Sequence, residues 1–312
     1  MPGQADAVKK PRPRCPVCDA EPTSPPMELH GSYVLHRCRR CDVQFADPLE
    51  EPGQQFYETH WRYSGPEIHF TSPRALNWDQ RCFLRDRPRP GGRLLDVGCG
   101  TGYFAAAAQR AGYHVTGLDL NRNQLEIARR SFGLADLHAM TLAEFARGVP
   151  AGSLDVVTAF QVLEHVAAPM DFVGEAARLV RPGGYFAVGV PNWRVWRAFR
   201  EPLDCPPHHL TRWSAVSLAH ALDRGGLQVV SLREHRSAYS FLLRHARLGL
   251  LRRVMERSRS ESGAREAHHQ AVVALSVIKT RLLVLADLPA RALLTALRVP
   301  GGLLYALARR PG

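Results

Sequence analysis

The sequence predicts an α/β fold in which a parallel sheet is covered by helices on both faces. A glycine-punctuated loop joins an apolar strand to a helix, and strand and helix patterns then alternate along the chain. This alternation is typical of parallel sheets with crossover helices. The predicted strands are residues 93–97, 114–119, 136–140, 154–160 and 184–190, and the predicted helices are residues 103–111, 122–131, 142–146 and 169–180.

The glycine loop at residues 98–102 follows the first strand and precedes a helix. Glycines let a ligand approach the backbone, and N–H groups at a helix N-terminus meet polar or anionic atoms. Asp119, at the tip of the second strand, is predicted to accept hydrogen bonds from ribose hydroxyls. The spacing G-x-G-x-G differs from the dinucleotide pattern G-x-G-x-x-G, which argues against a nicotinamide cofactor.

Three motifs together resemble class I S-adenosylmethionine-dependent methyltransferases. They are DVGCGTG at residues 96–102, QVLEHV at residues 161–166 and RLVRPGG at residues 178–184. The resemblance implies a Rossmann-like, seven-stranded, mostly parallel sheet, completed by strands at residues 227–232 and 302–308. It also implies S-adenosylmethionine as the methyl donor.

The residues predicted to bind this cofactor lie at the carboxyl ends of the strands, where ligands bind in such sheets. Tyr57, Trp61 and Tyr63 are placed against the cationic sulfonium by the resemblance, and cation–π attraction is consistent with that position. The alternative, that these aromatics bridge the N-terminal region to the core, stays open. The predicted set is Asp96, Gly98, Cys99, Gly100, Gly102, Asp119, Leu120, Met140, Thr141, Phe160, Gln161 and Tyr63.

Two histidines are candidates for the base that deprotonates the acceptor, because histidine titrates near neutral pH. His165 follows the fourth strand, and His209 lies in a loop after Pro206 and Pro207. A structural or substrate-shaping role is the alternative for each. Glu164, also a candidate, is expected to orient its neighbours. Ser214 is predicted to cap a helix that ends at Gly225.

Four cysteines have the spacing of a structural zinc site. Cys15, Cys18, Cys38 and Cys41 form two C-x-x-C knuckles, which complete a tetrahedron without an open position. A disulfide pair or a redox motif is the alternative. Cys99 is interpreted as a packing residue of the glycine loop.

Bulk composition is that of a globular chain with a basic surface. The 312 residues carry 41 Lys and Arg against 29 Asp and Glu, a net charge of +12. Acidic partners and a merely solvated basic surface both agree with this charge. The first residues lack the apolar core of a signal peptide, and charges interrupt the most apolar region, so a cytoplasmic location is expected, with peripheral membrane association left open.

The predicted organisation has six parts. A long insertion near the C-terminus is interpreted either as helices packing on the domain or against a second copy in a homodimer, or as a basic amphipathic element on an anionic membrane or a pocket wall. The parts are a disordered lead-in (1–13), a zinc ribbon (14–48), an aromatic cap with a linker helix (49–92), the methyltransferase core (93–235), the helical insertion (236–300) and the final strand with the C-terminus (301–312).

The function predicted by the resemblance is methyl transfer to a small molecule or a saccharide, including lipid-linked and natural-product acceptors. An RNA methyltransferase is the first alternative, favoured by the ribbon and the charge. No N/D-P-P-aromatic signature follows the fourth strand, where QVLEHV stands instead, which argues against nucleic acid. A non-catalytic cofactor-binding scaffold is the second alternative.

Overall fold

A computed structural model describes residues 13–21, 26–59, 76–196, 205–236, 292–293, 295–297, 299 and 301–312. The chain divides into two compact units. The larger unit contains residues 1–193, 200–233 and 303–312, and the smaller one contains residues 194–199 and 234–302. Tyr63 and Trp61, and most of the predicted insertion at residues 236–300, lie outside the described residues.

A seven-stranded sheet forms the centre of the larger unit, in the order β10-β11-β8-β7-β4-β5-β6. Strands β4 to β8 pair in parallel, and β11 pairs antiparallel to β8. The predicted mostly parallel, seven-stranded fold is therefore confirmed. The strands are β4 (Arg93–Val97), β5 (His114–Leu118), β6 (Leu137–His138), β7 (Leu154–Phe160), β8 (Val180–Pro191), β10 (Gln228–Glu234) and β11 (Leu303–Arg309).

The strand bounds differ most from the prediction at β8 and β6, and the other strands agree to within two residues. β8 begins at Val180, before the turn of Pro182 and Gly183, because Val180 already pairs with Leu154 of β7. β6 contains only two residues, since it pairs with β5 through Gly117 and Leu118 alone. Both differences arise from pairing with a neighbouring strand.

The helices begin and end close to the predicted residues. Asn121, Thr141 and Ser214 accept a hydrogen bond from a backbone N–H of the first turn of the helices that they cap. The helices are α1 (Gln54–Thr59), α2 (Trp78–Asp86), α3 (Tyr103–Arg110), α4 (Arg122–Phe132), α5 (Leu142–Arg147), α6 (Pro169–Leu179), α7 (Trp193–Trp196) and α8 (Ala215–Arg224).

A second sheet has four strands, and two of them flank the knuckle of Cys38 and Cys41. Its order is β1 (Glu28–His30), β2 (Tyr33–Arg37), β3 (Gln44–Asp47) and β9 (Thr211–Arg212), with β9 antiparallel to β3. The sequence did not predict β9, because two residues carry no detectable strand pattern. Through β9, the segment that precedes α8 completes the sheet of the N-terminal ribbon.

The ribbon shares a hydrophobic core with the large sheet. The four ribbon cysteines, Val43 and Phe45 belong to the same buried cluster as β7, β8 and α8 residues. Arg224 at the end of α8 donates to the Val17 carbonyl at 2.7 Å, and the Trp193 indole donates to the Asp42 carbonyl at 3.0 Å. Each cysteine knuckle is thus held by a hydrogen bond from the core.

In the smaller unit, Glu234 accepts hydrogen bonds from the Arg236 guanidinium and the Gly301 amide, at 3.0 and 2.9 Å. Arg236 also donates to the Val299 carbonyl. Among the residues that the structure describes, no helix is both long enough and apolar enough to cross a bilayer.

Candidate active site

The glycine loop between β4 and α3 has the backbone conformation that the sequence predicts. Gly98, Gly100 and Gly102 all have positive φ, between 52° and 81°. A Cβ at Gly98 would collide with the Val162 side chain, and one at Gly102 would lie 2.7 Å from Cβ of Ala128. Glycine is therefore required here by close packing of protein against the loop, in addition to any ligand.

The N–H groups of this loop are directed inward. The amides of Gly98 and Cys99 both donate to the Leu118 carbonyl, at 2.7 and 2.8 Å, and the Gly102 amide donates to the Cys99 carbonyl. The Gly100 amide donates to the Asp119 carboxylate at 2.8 Å. These four amides therefore bond to protein oxygens of the loop and of the residues at the end of β5. The expectation that N–H groups at the N-terminus of the following helix meet ligand atoms stays a prediction.

Asp119 lies where the second strand of the parallel sheet ends. Its two carboxylate oxygens accept the amides of Gly100 and Asn121, each at 2.8 Å. A carboxylate has about four lone-pair positions, so acceptor capacity remains beside these backbone amides. Burial raises the pKa of Asp119, and the backbone N–H groups oppose that shift.

Helix α1 is tied to this strand end. The Asn121 side-chain amide donates to the Tyr57 carbonyl at 2.7 Å, while its oxygen caps α4. The Tyr57 ring meets the His165 ring edge to face, with centroids 6.2 Å apart. Tyr57 therefore lies between the Asp119 and His165 ends of the site. Asn121 was missed in the sequence, although its N-cap position after D-L was a usable signal.

Asp96 is buried beneath the loop, with 3% of its surface exposed. Its carboxylate accepts the Thr158 hydroxyl at 2.8 Å. Burial raises the pKa of Asp96 to about 7; the Thr158 hydrogen bond opposes this shift and the Asp119 charge adds to it. Asp96 thus titrates close to neutral pH.

Three histidines meet beyond the carboxyl end of β7. His165 ends a 3-10 turn at Leu163–His165, and His208 and His209 come from the loop before β9. Ring centroids are 4.7 Å apart for His165 and His208, 4.8 Å for His165 and His209, and 4.8 Å for His208 and His209. The structure brings the two predicted base candidates together and adds His208, which the sequence analysis passed over within the same His-His pair.

The protonation of His165 follows from its contact with the neighbouring loop. Its Nδ1 lies 2.6 Å from the His208 carbonyl oxygen. A carbonyl oxygen only accepts, so Nδ1 of His165 carries a proton and donates it to this hydrogen bond. Glu164 is buried, and its Oε1 lies 4.0 Å from His165 Nε2.

Other predicted cofactor residues have structural contacts of their own. The Gln161 side chain donates to the buried Asp79 carboxylate at 2.9 Å, and Gln161 has φ of 60°. Phe160 packs against Phe104, with ring centroids 4.9 Å apart. The Thr141 hydroxyl caps α5. Cys99 and Met140 pack in hydrophobic clusters, and Leu120 is half-buried.

The four ribbon cysteines form a second cluster that suits a metal. Their sulfurs all lie within 4.8 Å of one another, with 3.5 Å between Cys15 and Cys41 and 3.4 Å between Cys18 and Cys38. Zinc–sulfur bonds of about 2.3 Å place tetrahedral sulfurs about 3.8 Å apart, so the donor set fits. A hydrogen bond from Cys41 lowers the pKa of Cys15 to about 5, and burial raises that of Cys18 to about 11.

Comparison with known proteins agrees with the fold and the glycine loop. A family model described as "Methyltransferase domain" matches residues 69–232. A ubiquinone biosynthesis O-methyltransferase of Aromatoleum aromaticum is 36% identical over 162 residues, 48% of this chain and 66% of that protein. One of Burkholderia thailandensis is 30% identical over 215 residues, 60% of this chain and 86% of that protein.

The first three curated relatives are matched over only 66%, 60% and 54% of their length. Among solved structures, a chain of the complex between the Haloferax volcanii Trm112 methyltransferase activator and a methyltransferase superposes with a TM-score of 0.51. It is 19% identical and covers 84% of this chain and 99% of that chain, which supports the fold alone.

The family match spans more than half of the chain and includes the glycine loop, Asp119 and the QVLEHV segment. This protein belongs to the methyltransferase domain family, the class I S-adenosylmethionine-dependent methyltransferases. The predicted family is confirmed.

Proposed function

We propose that this protein transfers a methyl group from S-adenosylmethionine to a hydroxyl oxygen of a small molecule or saccharide. The observation that carries the proposal is the position of the histidine cluster. The His165 ring contacts the Tyr57 ring of helix α1, and the Tyr57 carbonyl accepts a hydrogen bond from Asn121, two residues after Asp119. O-methylation is taken from relatives named as ubiquinone biosynthesis O-methyltransferases, and it agrees with a site that contains candidate imidazole bases.

The cofactor would be held at the β4 and β5 ends. Asp119 has remaining acceptor capacity for a ribose hydroxyl, and Gly98, Gly100 and Gly102 shape the loop beside it. Asp96, Cys99, Leu120, Met140, Thr141, Phe160, Gln161 and Tyr63 stay proposed neighbours of the cofactor. When bound, S-adenosylmethionine supplies a methyl carbon on a positively charged sulfur, which leaves with the electrons of the broken carbon–sulfur bond.

The protein's own task is then to orient the acceptor and take up its proton. His165 Nε2 is the proposed base, since its Nδ1 is already protonated against the His208 carbonyl. The neighbouring Glu164 carboxylate, 4.0 Å away, would stabilise the imidazolium that forms. His209 is the alternative base. Such a general base contributes about 10²- to 10⁴-fold to the rate.

The proposal also includes one structural zinc ion bound by Cys15, Cys18, Cys38 and Cys41. Four thiolates close the coordination sphere, so the ion would stabilise the ribbon and take no part in the chemistry. We expect about one zinc per chain in freshly purified, reduced protein. Elemental analysis that finds none would contradict this part.

A paired binding and turnover experiment tests the methyltransferase proposal. Asp119→Ala is expected to lose S-adenosylmethionine binding by calorimetry and to lose methyl transfer. Asp136→Ala, which removes an exposed acid immediately before β6, is the control and should keep both. Wild-type affinity in Asp119→Ala would refute the cofactor site.

The acceptor requires a separate search. Mass spectrometry of small metabolites and glycolipids from cells with and without the gene should reveal a compound that differs by one methyl group. Incubation of the purified protein with the unmethylated compound should restore that difference. A methyl group found on RNA instead would replace the small-molecule proposal with the RNA alternative.

A further inference from the structure

The three histidines of the cluster are typical metal ligands as well as candidate bases. The nitrogens of His165, His208 and His209 that can act as ligands all lie within 4.8 Å of one another. Zn–N bonds of about 2.1 Å require ligand nitrogens about 3.4 Å apart, so shifts on the order of 1 Å suffice for coordination. The two segments that carry the rings are already joined by hydrogen bonds.

The His165 ring makes the outer hydrogen bond that is typical of metal-binding histidines. Ligating histidines are neutral at the bonding nitrogen and donate their other N–H to a carbonyl or a carboxylate. His165 does this within the cluster, because its Nδ1 donates to the carbonyl of His208, itself a member of the cluster. This hydrogen bond fixes the orientation of the ring within the cluster.

The surroundings of the cluster favour a cation. Three neighbouring imidazoles repel one another when protonated, whereas one ion shared by three neutral rings introduces no such repulsion. The Glu164 side chain is 1% exposed and its Oε1 lies 4.0 Å from His165 Nε2, so a carboxyl oxygen lies beside the rings. Three imidazoles with a carboxylate suit divalent Zn, Fe, Co or Ni.

We infer that His165, His208 and His209 bind a divalent transition-metal ion at the acceptor end of the site. This inference rests on the proposed function and refines its base: with three protein ligands, the fourth position is open to the acceptor oxygen. Coordination would lower the pKa of the acceptor hydroxyl, whose proton then leaves to water while the oxygen keeps its electron pair.

The site is separate from the cysteine cluster, so the two metals can be measured apart. Protein that retains zinc in the ribbon is titrated with Co²⁺ alone, without cofactor or acceptor. The expected result is one additional ion per chain, with the visible absorption of Co²⁺ bound by nitrogen and oxygen. Strong near-ultraviolet sulfur-to-cobalt absorption would show exchange into the ribbon and would contradict a separate site.

His165→Gln and His209→Gln should each weaken Co²⁺ binding by at least about 100-fold, because loss of even an outer partner of a metal ligand costs about 10- to 100-fold. His114→Ala is the matched control, since this exposed histidine lies at the beginning of β5 and should leave binding unchanged. Unchanged ribbon zinc and circular dichroism establish that each variant is folded. Equal Co²⁺ affinity in wild type and both Gln variants would overturn the inference.

Failure of this inference is distinguishable from failure of the proposed function. If no ion binds to the histidines and methyl transfer is unaffected by added Co²⁺ or Zn²⁺, the metal inference fails and the proposed histidine base remains. If the histidines bind one Co²⁺ ion per chain but no acceptor is methylated, the metal inference is supported and the proposed function is refuted.

Discussion

The Ala46 amide donates to the Leu210 carbonyl at 2.8 Å, and this bond joins the ribbon to the segment that carries the histidines. The Leu210 amide in turn donates to the Glu164 carbonyl at 2.9 Å. Leu210 therefore connects strand β3, next to the cysteine knuckles, with the turn that presents Glu164 and His165. The ribbon supports the histidine cluster through the backbone.

Loss of the ribbon metal is expected to loosen the histidine loop. Cys38→Ser should lower the zinc content and increase hydrogen exchange at the Leu210 amide, because β9 loses a fixed β3 as its partner. Methyl transfer should fall more than cofactor affinity, since Asp119 lies on a different strand end. Arg40→Ala, an exposed change in the same knuckle, is the control. Unchanged exchange at Leu210 in zinc-free protein would contradict this support.

Gly102→Ala should destabilise the protein by about 1–3 kcal/mol. Its φ of 81° disfavours a side chain, and the new Cβ would lie 2.7 Å from Cβ of Ala128 and 2.8 Å from Cδ1 of Leu134. Gly174→Ala is the matched change within helix α6, where a Cβ would meet nothing within 4 Å. It should stabilise by about 0.5–1 kcal/mol. Urea denaturation of both variants measures the contrast, and equal effects would refute it.

Asp96 should make the free energy of unfolding decrease between about pH 4 and pH 7. Its pKa in the folded state is about 7, above the ordinary value of 3.8, so the folded protein binds the proton more tightly. Stability is therefore lost as pH rises through this range and is constant above it. Asp96→Asn should gain roughly 1–3 kcal/mol over wild type at pH 8 and little at pH 4.

Urea denaturation without cofactor at both pH values tests the Asp96 prediction. Asp223→Asn is the control, because it removes an exposed acid near the end of α8. A gain for Asp96→Asn that is the same at pH 4 and pH 8 would show that titration is not its cause.

Gln161→Ala should destabilise the protein by about 1–3 kcal/mol, the cost of leaving a buried acceptor without a hydrogen bond. Its side chain donates to Asp79, which is fully buried and whose pKa is raised by that burial. The double variant Gln161→Ala with Asp79→Leu should lose less than the sum of the single losses. Additive losses in thermal unfolding would show that the two residues do not interact.

Local sequence patterns predicted most of the secondary structure and the conformation of the glycine loop. Alternating strands and helices, the helix caps at Thr141 and Ser214, and the glycine loop depend on short-range geometry, so they were predicted to within a few residues. The positive φ of Gly98, Gly100 and Gly102 and the closeness of the four cysteines follow in the same way from motif spacing.

Only the tertiary structure decided what lies between these motifs. The two-residue strand β9, the Asp79 contact of Gln161 and the meeting of His165 with His208 join residues that are distant in sequence. No periodicity marks such contacts, because they depend on which loops the sheet brings to one edge. The sequence alone therefore determined the fold and the glycine loop, whereas the arrangement of the histidine cluster depends on packing of the ribbon against the core.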